Sequence, residues 1–350
     1  MLDDRGAEAK HPTTHSPGAH GRGLRVRYGG GMRAVQIVSL DGPEALQITE
    51  VADPTPGEGQ VLVRVRAAGV AFPELLHTRG LYQSKPALPF IPGSEIAGDI
   101  ISAPGGSGFA PGDRVVASAT SGGYAELATA NAERVFRLPD NVSYEAGASF
   151  FSNYGTAYFA LVERGQLKAG ESVLVQGAAG GIGTASIQVA KAFGAGMVIA
   201  VTSTPEKGAV ALAAGADEFV LVDGFKDAVK ALGGVDIVVD PVGGDRFTDS
   251  LRCLNGDGRL LVIGFTAGEI PTVKVNRLLL NNISVVGVGW GAYLTPRPGH
   301  TQSEWDAMLP HLESGALSPT ISSVYPLADA TAALLELEQR RAMGKVVIVP

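Results

Sequence analysis

A short apolar run that breaks into glycine and alanine constrains this chain more than any other feature. Residues 171–183 read ESVLVQGAAGGIG, which predicts a strand, a tight turn and the start of a helix. Small residues let the backbone approach a ligand closely, and the N–H groups and dipole of the following helix favour negative charge. The segment therefore predicts a pyrophosphate-binding turn, whose contacting residues are Ala178, Gly180, Gly181, Ile182 and Gly183.

The sequence around this turn strengthens the prediction. Strands are predicted at 172–176, 197–202, 218–222, 235–240, 259–264 and 283–288, with helical periodicity between them. Six strands in this rhythm predict a doubly wound parallel sheet, the architecture that binds dinucleotides. Ala178 departs from the strict first glycine of the dinucleotide pattern, but the strand, helix and βαβ context fit it. The chain is thus expected to bind a dinucleotide and to carry out redox chemistry.

Composition narrows the class of protein. At 350 residues the chain is long enough for two domains, and its net charge of −7 disfavours nucleic acid and anionic membranes as main partners. No apolar run approaches the roughly 20 residues that span a bilayer, so we expect a cytoplasmic protein. The single cysteine, Cys253, excludes an intrachain disulfide and any metal site with several cysteines. His77, His300 and His311 have no evident partner pattern.

The first 152 residues divide into two parts. Residues 1–31 are rich in Gly, His, Pro, Thr and Arg and lack periodicity, so a disordered extension is predicted. From Met32 onward, short alternating strands such as 60–67 are separated by Pro-Gly and Gly-rich turns. This pattern predicts a mostly antiparallel β domain. The end of the chain predicts a helix over 328–341 and a strand over 345–349.

The end of the second strand bears on the choice between NADH and NADPH. An NAD site usually places Asp or Glu there to bond the ribose 2′-hydroxyl, whereas this chain has Thr202, followed by Ser203 and then by Lys207. Hydroxyls and a lysine suit a 2′-phosphate, which a carboxylate would repel. NADPH is therefore the predicted cofactor. Ser203 or Thr204 is alternatively only the cap of the helix that begins at Pro205.

An ordered set of short phrases gives the chain a family resemblance from residue 32 to residue 350. The phrases are AAGV at 67–70, GLY at 80–82, PGSEIAG at 92–98, PGDRV at 111–115, GGYAE at 122–126, the glycine turn, DPVGG at 240–244 and GKVV at 344–347. The chain resembles the zinc-independent quinone oxidoreductases of the medium-chain dehydrogenase/reductase superfamily. The resemblance implies an α/β fold with a β-rich GroES-like catalytic domain (32–152 and 293–350) and a doubly wound parallel-sheet Rossmann domain (153–292).

The zinc-dependent alcohol dehydrogenases share this architecture and are the first competitor. They need a catalytic cysteine near Val70 and Ala71, and a histidine where this chain reads Gly93-Ser94-Glu95. Without thiolate and imidazole ligands no zinc is available to polarise an alcohol. The resemblance therefore implies a site without metal, and it makes Glu95 a structural carboxylate.

The resemblance also implies where the cofactor lies. Asn153 and Thr156 are expected at the nicotinamide or its ribose, and Lys207 and Arg340 at the 2′-phosphate, although a merely solvated Arg340 is an open alternative. Relatives often have asparagine where this chain has Ala71, so the pocket is expected to be wider and more apolar. Tyr82 is expected to donate a hydrogen bond to the substrate carbonyl, unless it is a tyrosine at the edge of the core. Further expected cofactor contacts are Val242, Gly264, Phe265 and Thr266.

The function that follows is hydride transfer from NADPH to a quinone-type acceptor, with an enone or enoyl-thioester reductase as the enzymatic alternative. A non-catalytic NADPH-binding protein, crystallin-like or RNA-binding, is the alternative of another class. The segment 282–288 resembles the sheet edge that pairs across a dimer in this family, so a homodimer is expected.

Overall fold

The computed structural model describes residues 30–297 and 299–350, in which two six-stranded sheets carry most of the chain. Residues 1–29 of the predicted disordered extension, 1–31, lie outside the described residues, and its last residue, Gly31, begins β1. The strands are β1 Gly31–Ile37, β2 Leu46–Ala52, β3 Gln60–Val70, β4 Glu95–Ser102, β5 Arg114–Ala119, β6 Leu127–Arg137, β7 Ser172–Gln176, β8 Met197–Thr202, β9 Glu218–Leu221, β10 Val235–Asp240, β11 Leu254–Val262, β12 Ser284–Gly287, β13 Ile321–Pro326 and β14 Lys345–Val349. The helices are α1 Phe72–Thr78, α2 Tyr144–Gly147, α3 Phe151–Tyr158, α4 Gly181–Ala192, α5 Pro205–Ala213, α6 Phe225–Ala231, α7 Arg246–Cys253, α8 Asn276–Asn281, α9 Trp290–Leu294, α10 His300–Glu313 and α11 Ala330–Glu338.

One sheet is fully parallel and has the strand order β12-β11-β10-β7-β8-β9. Its central strands are runs of valine, leucine and isoleucine that are buried on both faces, as parallel sheets covered by helices require. The prediction of a doubly wound parallel sheet is confirmed. The order reverses at β7, and the turn that follows β7 is the glycine turn, which therefore lies at the switch point where α/β sheets bind ligands.

One strand of this sheet begins earlier than predicted. β11 starts at Leu254 instead of 259, because Leu254 already pairs with Val235 before the register shifts. The shift lies in the sequence Asn255-Gly256-Asp257-Gly258, where Asp257 has a left-handed φ of 62°. The strand therefore continues through an irregularity in its pairing with β10, although the sequence there is rich in turn residues.

The other six-stranded sheet has the order β13-β14-β3-β4-β5-β6 and is antiparallel except for the β13–β14 pair. β3 is long enough to pair with three strands: its first half also pairs with β6, and its last residues pair with β14. The predicted β-rich domain is thus present. The last strand of the chain, β14, pairs with β3 in this sheet, so the C-terminal residues lie beside β3.

The helices differ from the predictions at one place that matters for the site. The predicted helix over 328–341 is wrong at its end, because α11 stops at Glu338 and Arg340 has a left-handed φ of 56°. Arg340 therefore lies in the connection to β14 and not on a helix face. α3 passes directly into a π-helical segment, Phe159–Arg164. Among the helices that the structure describes, none has the length and apolar character that crossing a bilayer requires.

Candidate functional site

A cleft of about 710 Å³ opens between the two sheets. Its walls are the glycine turn, the first residues of α4, the end of β8 with the start of α5, the turn after β10, helix α1, and the connection from α11 to β14. A cleft of this size and composition accommodates a small molecule or a dinucleotide.

The start of α4 is built to receive an anion. Gly180 is the N-cap residue, and no side chain caps the helix, so the first N–H groups of a 12-residue helix have no side-chain acceptor. A Cβ at Gly183 would overlap with the Gly177 carbonyl oxygen, and a Cβ at Gly181 would overlap with the amide nitrogen of Asn153. The small residues therefore let the turn close tightly and leave the helix N-terminus facing the cleft, as a pyrophosphate requires.

The last strand is fastened to this turn. The N–H of Gly344 donates to the Ala179 carbonyl oxygen at 2.8 Å. Lys345 follows and lines the cleft, although only 4% of its side chain is exposed. A backbone hydrogen bond therefore joins the start of the last strand to the glycine turn, one residue before Lys345.

Two buried carboxylates lie behind the cleft. Glu95 Oε2 accepts from Lys345 Nζ at 3.0 Å, and Glu95 Oε1 accepts from the N–H of Ser152 at 2.9 Å. Glu74 accepts from the N–H of Ala71 and from both the N–H and the hydroxyl of Ser94. Burial raises the pKa of Glu95 above its ordinary value, while Lys345 acts in the opposite direction. These hydrogen bonds satisfy the two buried carboxyl groups. They agree with a structural role for Glu95.

Two cationic residues, Lys207 and Arg340, contact each other at the mouth of the cleft. Lys207 Nζ donates to the Arg340 carbonyl oxygen at 2.9 Å, and the Arg340 guanidinium donates to the Thr266 carbonyl oxygen at 3.3 Å. The Thr204 hydroxyl accepts from the N–H of Lys207 and caps α5, so the capping role falls to Thr204. Ser203 is exposed in the cleft, and none of the hydrogen bonds found among the described residues involves its side chain.

The turn after β10 is shaped by a buried carboxylate. Asp240 Oδ1 accepts from the N–H groups of Val242 and Gly243, both at 2.9 Å. Gly243 and Gly244 have φ values of 66° and 64°, a left-handed pair that glycine adopts without strain. The turn therefore places Val242 in the wall of the cleft.

Most of the residues predicted from the sequence come together here. Those that line the cleft are Ala71, Asn153, Ala178, Gly180, Gly181, Ile182, Gly183, Thr202, Ser203, Lys207, Val242, Thr266 and Arg340. Tyr82, Thr156, Gly264 and Phe265 are not among the lining residues. Tyr82 packs edge-on against the His77 ring, with 4.6 Å between ring centroids. The roles assigned to all these residues remain predictions.

Five charged residues of the cleft lining were not predicted from the sequence: Arg79, Asp245, Arg246, Glu338 and Lys345. Lys345 has a visible signal, because it is a lysine inside an otherwise apolar terminal strand. Arg79 and Glu338 have none: they form an ion pair at 2.6 Å between the end of α1 and the end of α11, and they are 259 residues apart.

The positions that would carry zinc ligands hold other groups. Ala71 offers a methyl group, and the Ser94 hydroxyl donates to Glu74. Among the described residues that line the cleft there is no histidine or cysteine. The residues present at these positions therefore do not form the thiolate and imidazole set that a catalytic zinc requires.

Comparison with known proteins agrees with this architecture. Residues 57–140 match the alcohol dehydrogenase GroES-like domain family, and residues 181–314 match the zinc-binding dehydrogenase family. The chain is 37% identical over 322 residues to the quinone oxidoreductase-like protein 2 of Mus musculus. The matched residues cover 90% of this chain and 91% of the relative.

Two solved structures are similar over nearly the whole chain. A probable oxidoreductase from Mycobacterium abscessus has a TM-score of 0.84 and 44% identity, covering 92% of this chain and 99% of its own. The quinone oxidoreductase of Thermus thermophilus, solved also in complex with NADPH, has a TM-score of 0.80 and 37% identity, covering 91% of this chain and 100% of its own. This chain therefore belongs to the quinone oxidoreductase-like family of the medium-chain dehydrogenase/reductase superfamily.

Proposed function

We propose that this protein is an NADPH-dependent oxidoreductase that transfers hydride to a quinone-type acceptor without zinc. The observation that carries the proposal is the uncapped N-terminus of α4, which opens into a cleft lined by Lys345, Lys207 and Arg340. A helix N-terminus together with the cationic residues Lys207 and Arg340 suits a ligand that has both a pyrophosphate and a further phosphate. The NADPH complex of the Thermus thermophilus relative supports the same assignment.

The choice of NADPH rests on the mouth of the cleft. Lys207 and Arg340 would hold the 2′-phosphate, with the Ser203 hydroxyl as a further donor. No carboxylate stands at Thr202, where one would bond the ribose hydroxyl of NADH and repel a phosphate. Arg340 is suited to this role because its guanidinium offers several donors in a fixed plane.

The pyrophosphate would be held by the residues of the glycine turn. The N–H groups that begin α4 would face the pyrophosphate, and Lys345, whose ammonium is paired with Glu95, belongs to the same wall of the cleft. Asn153 contacts the turn at Gly181 and would orient the ligand on the side of α3. Val242 would close the opposite wall.

The chemistry needs little from the protein beyond positioning. When bound, NADPH supplies the hydride from its nicotinamide ring. Helix α1 contributes an apolar wall of Phe72, Leu75 and Leu76 next to Ala71, which excludes water and favours a flat, uncharged acceptor. Quinones accept electrons readily, so a site without zinc or a strong acid suffices. Tyr82, the donor expected from the sequence, packs against His77 and is not among the residues that line the cleft, so no donor to the acceptor carbonyl is assigned.

An enone or enoyl-thioester reductase is the second candidate, because the same apolar wall accepts an activated alkene. Reduction of an alkene needs a group that donates a proton to carbon, whereas reduction of a quinone does not. Among the described residues that line the cleft there is no histidine to donate this proton. This observation favours the quinone.

A panel of acceptors tests the proposal. NADPH oxidation is followed with quinones, enones and enoyl thioesters, using protein dialysed against a chelator. We expect turnover of quinones that the chelator leaves unchanged. Turnover of an enone together with failure on every quinone would overturn the quinone assignment, and activity restored only by zinc would overturn the metal-free mechanism.

A homodimer is part of the proposal. β12 is an edge strand of the parallel sheet, and its unpaired backbone groups need a partner. Next to it, α8 and the preceding segment expose Ile270, Val275, Leu279 and Leu280, each more than 70% accessible. An apolar patch beside a free strand edge is typical of an interface between copies.

A further inference from the structure

A cluster of metal-ligating side chains lies away from the cleft. Within residues 30–297 and 299–350, one group of His, Cys, Asp and Glu side chains is close enough to hold a metal ion, and it consists of Glu163, His300 and Glu304. Each residue offers one ligand atom, and these atoms all lie within 4.8 Å of one another. None of the three residues lines the cleft. The sequence around His300 shows no partner for it, because Glu163 is 137 residues away.

The separations of the ligand atoms fit a tetrahedral ion. His300 Nε2 lies 3.0 Å from Glu163 Oε1 and 3.6 Å from Glu304 Oε1. Zinc bonds to nitrogen and oxygen are about 2.0–2.2 Å long, so ligand atoms around a tetrahedral zinc are roughly 3.3–3.6 Å apart. The two separations from His300 are therefore close to this range, and the two carboxylates lie within 4.8 Å of each other.

The backbone supplies these ligands from two elements. His300 and Glu304 are four residues apart on the first turns of α10, so they share one face of the helix. Glu163 comes from the π-helical segment that continues α3. Single π-helical turns are rare and often occur at functional sites. An ion here would join α10 to the helix that carries Asn153 into the cleft.

Charge balance also favours a cation. Glu304 is 2% exposed, and its two oxygens accept from the ring N–H of Trp290 at 2.9 and 3.0 Å. Among the described residues, the ion pairs of Glu163 and Glu304 involve His300 and no lysine or arginine. The neighbours of the two carboxyl groups are therefore one imidazole and one indole N–H, and a divalent ion would neutralise two carboxylates that have no lysine or arginine beside them.

We infer that Glu163, His300 and Glu304 bind a divalent transition-metal ion, with zinc as the best match to one imidazole and two carboxylates. A water molecule would complete the coordination. The bond from Trp290 orients the Glu304 carboxylate, as hydrogen bonds to ligands commonly do in metal sites. The ion has a structural role, because its site lies outside the cleft.

Calorimetric titration with zinc chloride tests the inference on the full chain. The three histidines of the N-terminal segment, His11, His15 and His20, are first replaced by alanine, because they offer a competing site. After removal of metal with a chelator, we expect one zinc ion per chain. Glu163→Gln and His300→Ala should each weaken binding by more than about 100-fold, since they remove a ligand itself.

His311→Ala is the matched control, because it removes a histidine from the same helix that is outside the cluster. We expect its zinc affinity to stay within twofold of the parent. Glu163→Gln preserves side-chain size, and its thermal unfolding without metal should match that of the parent, which separates lost binding from lost folding. Zinc should raise the unfolding temperature of the parent and leave that of Glu163→Gln unchanged.

Two results would overturn the inference. One is the absence of stoichiometric zinc binding in the parent. The other is binding that neither Glu163→Gln nor His300→Ala weakens. In either case the cluster is an imidazole shared by two carboxylates. NADPH oxidation is also measured in chelator-treated Glu163→Gln, so that a zinc requirement of the quinone reaction is distinguished from zinc binding at the cluster.

Discussion

The ammonium group of Lys345 lies 3.0 Å from a carboxylate oxygen of Glu95, and both side chains are buried although 250 residues separate them in sequence. The pair joins the last strand of the chain to the first strand after α1. Lys345 is also one of the residues that line the cleft, and its neighbour Gly344 bonds the glycine turn. The fold of the β-rich domain and the wall of the cofactor cleft therefore depend on the same contact.

Removing one partner of this pair should cost stability. Lys345→Met leaves Glu95 buried without its cation, and we expect the free energy of unfolding to fall by about 3 kcal/mol near neutral pH. The comparison is Arg66→Met, which breaks the exposed Arg66–Asp99 pair and should cost less than about 1 kcal/mol. Urea unfolding measures both. Equal losses in the two variants would contradict a special role for the buried pair.

The same variant makes a prediction about pH. Burial already raises the pKa of Glu95 above its ordinary value of 4.5, and the loss of Lys345 raises it further. A carboxyl with a raised folded-state pKa takes up its proton more readily in the folded chain, so its contribution to stability falls as pH rises above the unfolded value. The deficit of Lys345→Met should therefore shrink from about pH 7 to about pH 5. A deficit that grows on acidification would argue against this explanation.

Selection of NADPH should depend on the cations at the mouth of the cleft. We expect the wild type to bind NADPH at least about tenfold more tightly than NADH, and Lys207→Ala to narrow this ratio by about 3- to 10-fold through weaker NADPH binding alone. Lys168→Ala is the control, because Lys168 is exposed and outside the cleft lining. Fluorescence titration with both cofactors gives the ratios. Equal affinities in the wild type would refute the selectivity.

The glycine turn should not tolerate a methyl group at Gly183. A Cβ there overlaps with the Gly177 carbonyl oxygen and with the backbone of Ala178, so Gly183→Ala must open the turn. We expect a loss of about 1–3 kcal/mol in stability and at least tenfold weaker NADPH binding. Gly256→Ala is the matched control, since a Cβ at Gly256 has open space. Wild-type affinity in Gly183→Ala would contradict the role of the turn.

Cys253 should be inert in the folded chain. It is 1% exposed, its thiol donates to the Asp249 carbonyl oxygen, and burial raises the pKa of the thiol to about 12. Since the thiolate is the reactive form, a thiol reagent at mildly alkaline pH should find no reactive group before denaturation and one afterwards. Rapid labelling of the native protein would show that the core around α7 opens readily.

Much of the fold follows from local sequence pattern. The parallel strands predicted at 172–176, 197–202 and 235–240 have the same bounds in the structure. Such strands are recognisable because their side chains are apolar on both faces and because glycine or polar turns precede and follow them. The start of β11 was missed because pairing with β10 begins before the turn residues at 255–258. A local pattern does not contain that long-range pairing.

The site was predictable where the chemistry is local to one segment. The glycine turn and the end of β8 come from single stretches, and they line the cleft as expected. The end of α11 was not predictable, because Arg340 takes a left-handed backbone conformation as it reaches Thr266. The pairs Lys345–Glu95 and Arg79–Glu338 depend on strand and helix packing between distant segments, so the sequence does not indicate which residues pair.

A single-turnover experiment tests the central claim most directly. Chelator-dialysed protein carrying one equivalent of NADPH is mixed rapidly with a quinone, and the loss of NADPH absorbance is followed, with Gly183→Ala as the comparison. The account predicts complete oxidation of the bound NADPH in the wild type without added metal, and strongly reduced oxidation in the variant. No oxidation of bound NADPH by any quinone, or oxidation only after zinc is added, would contradict it.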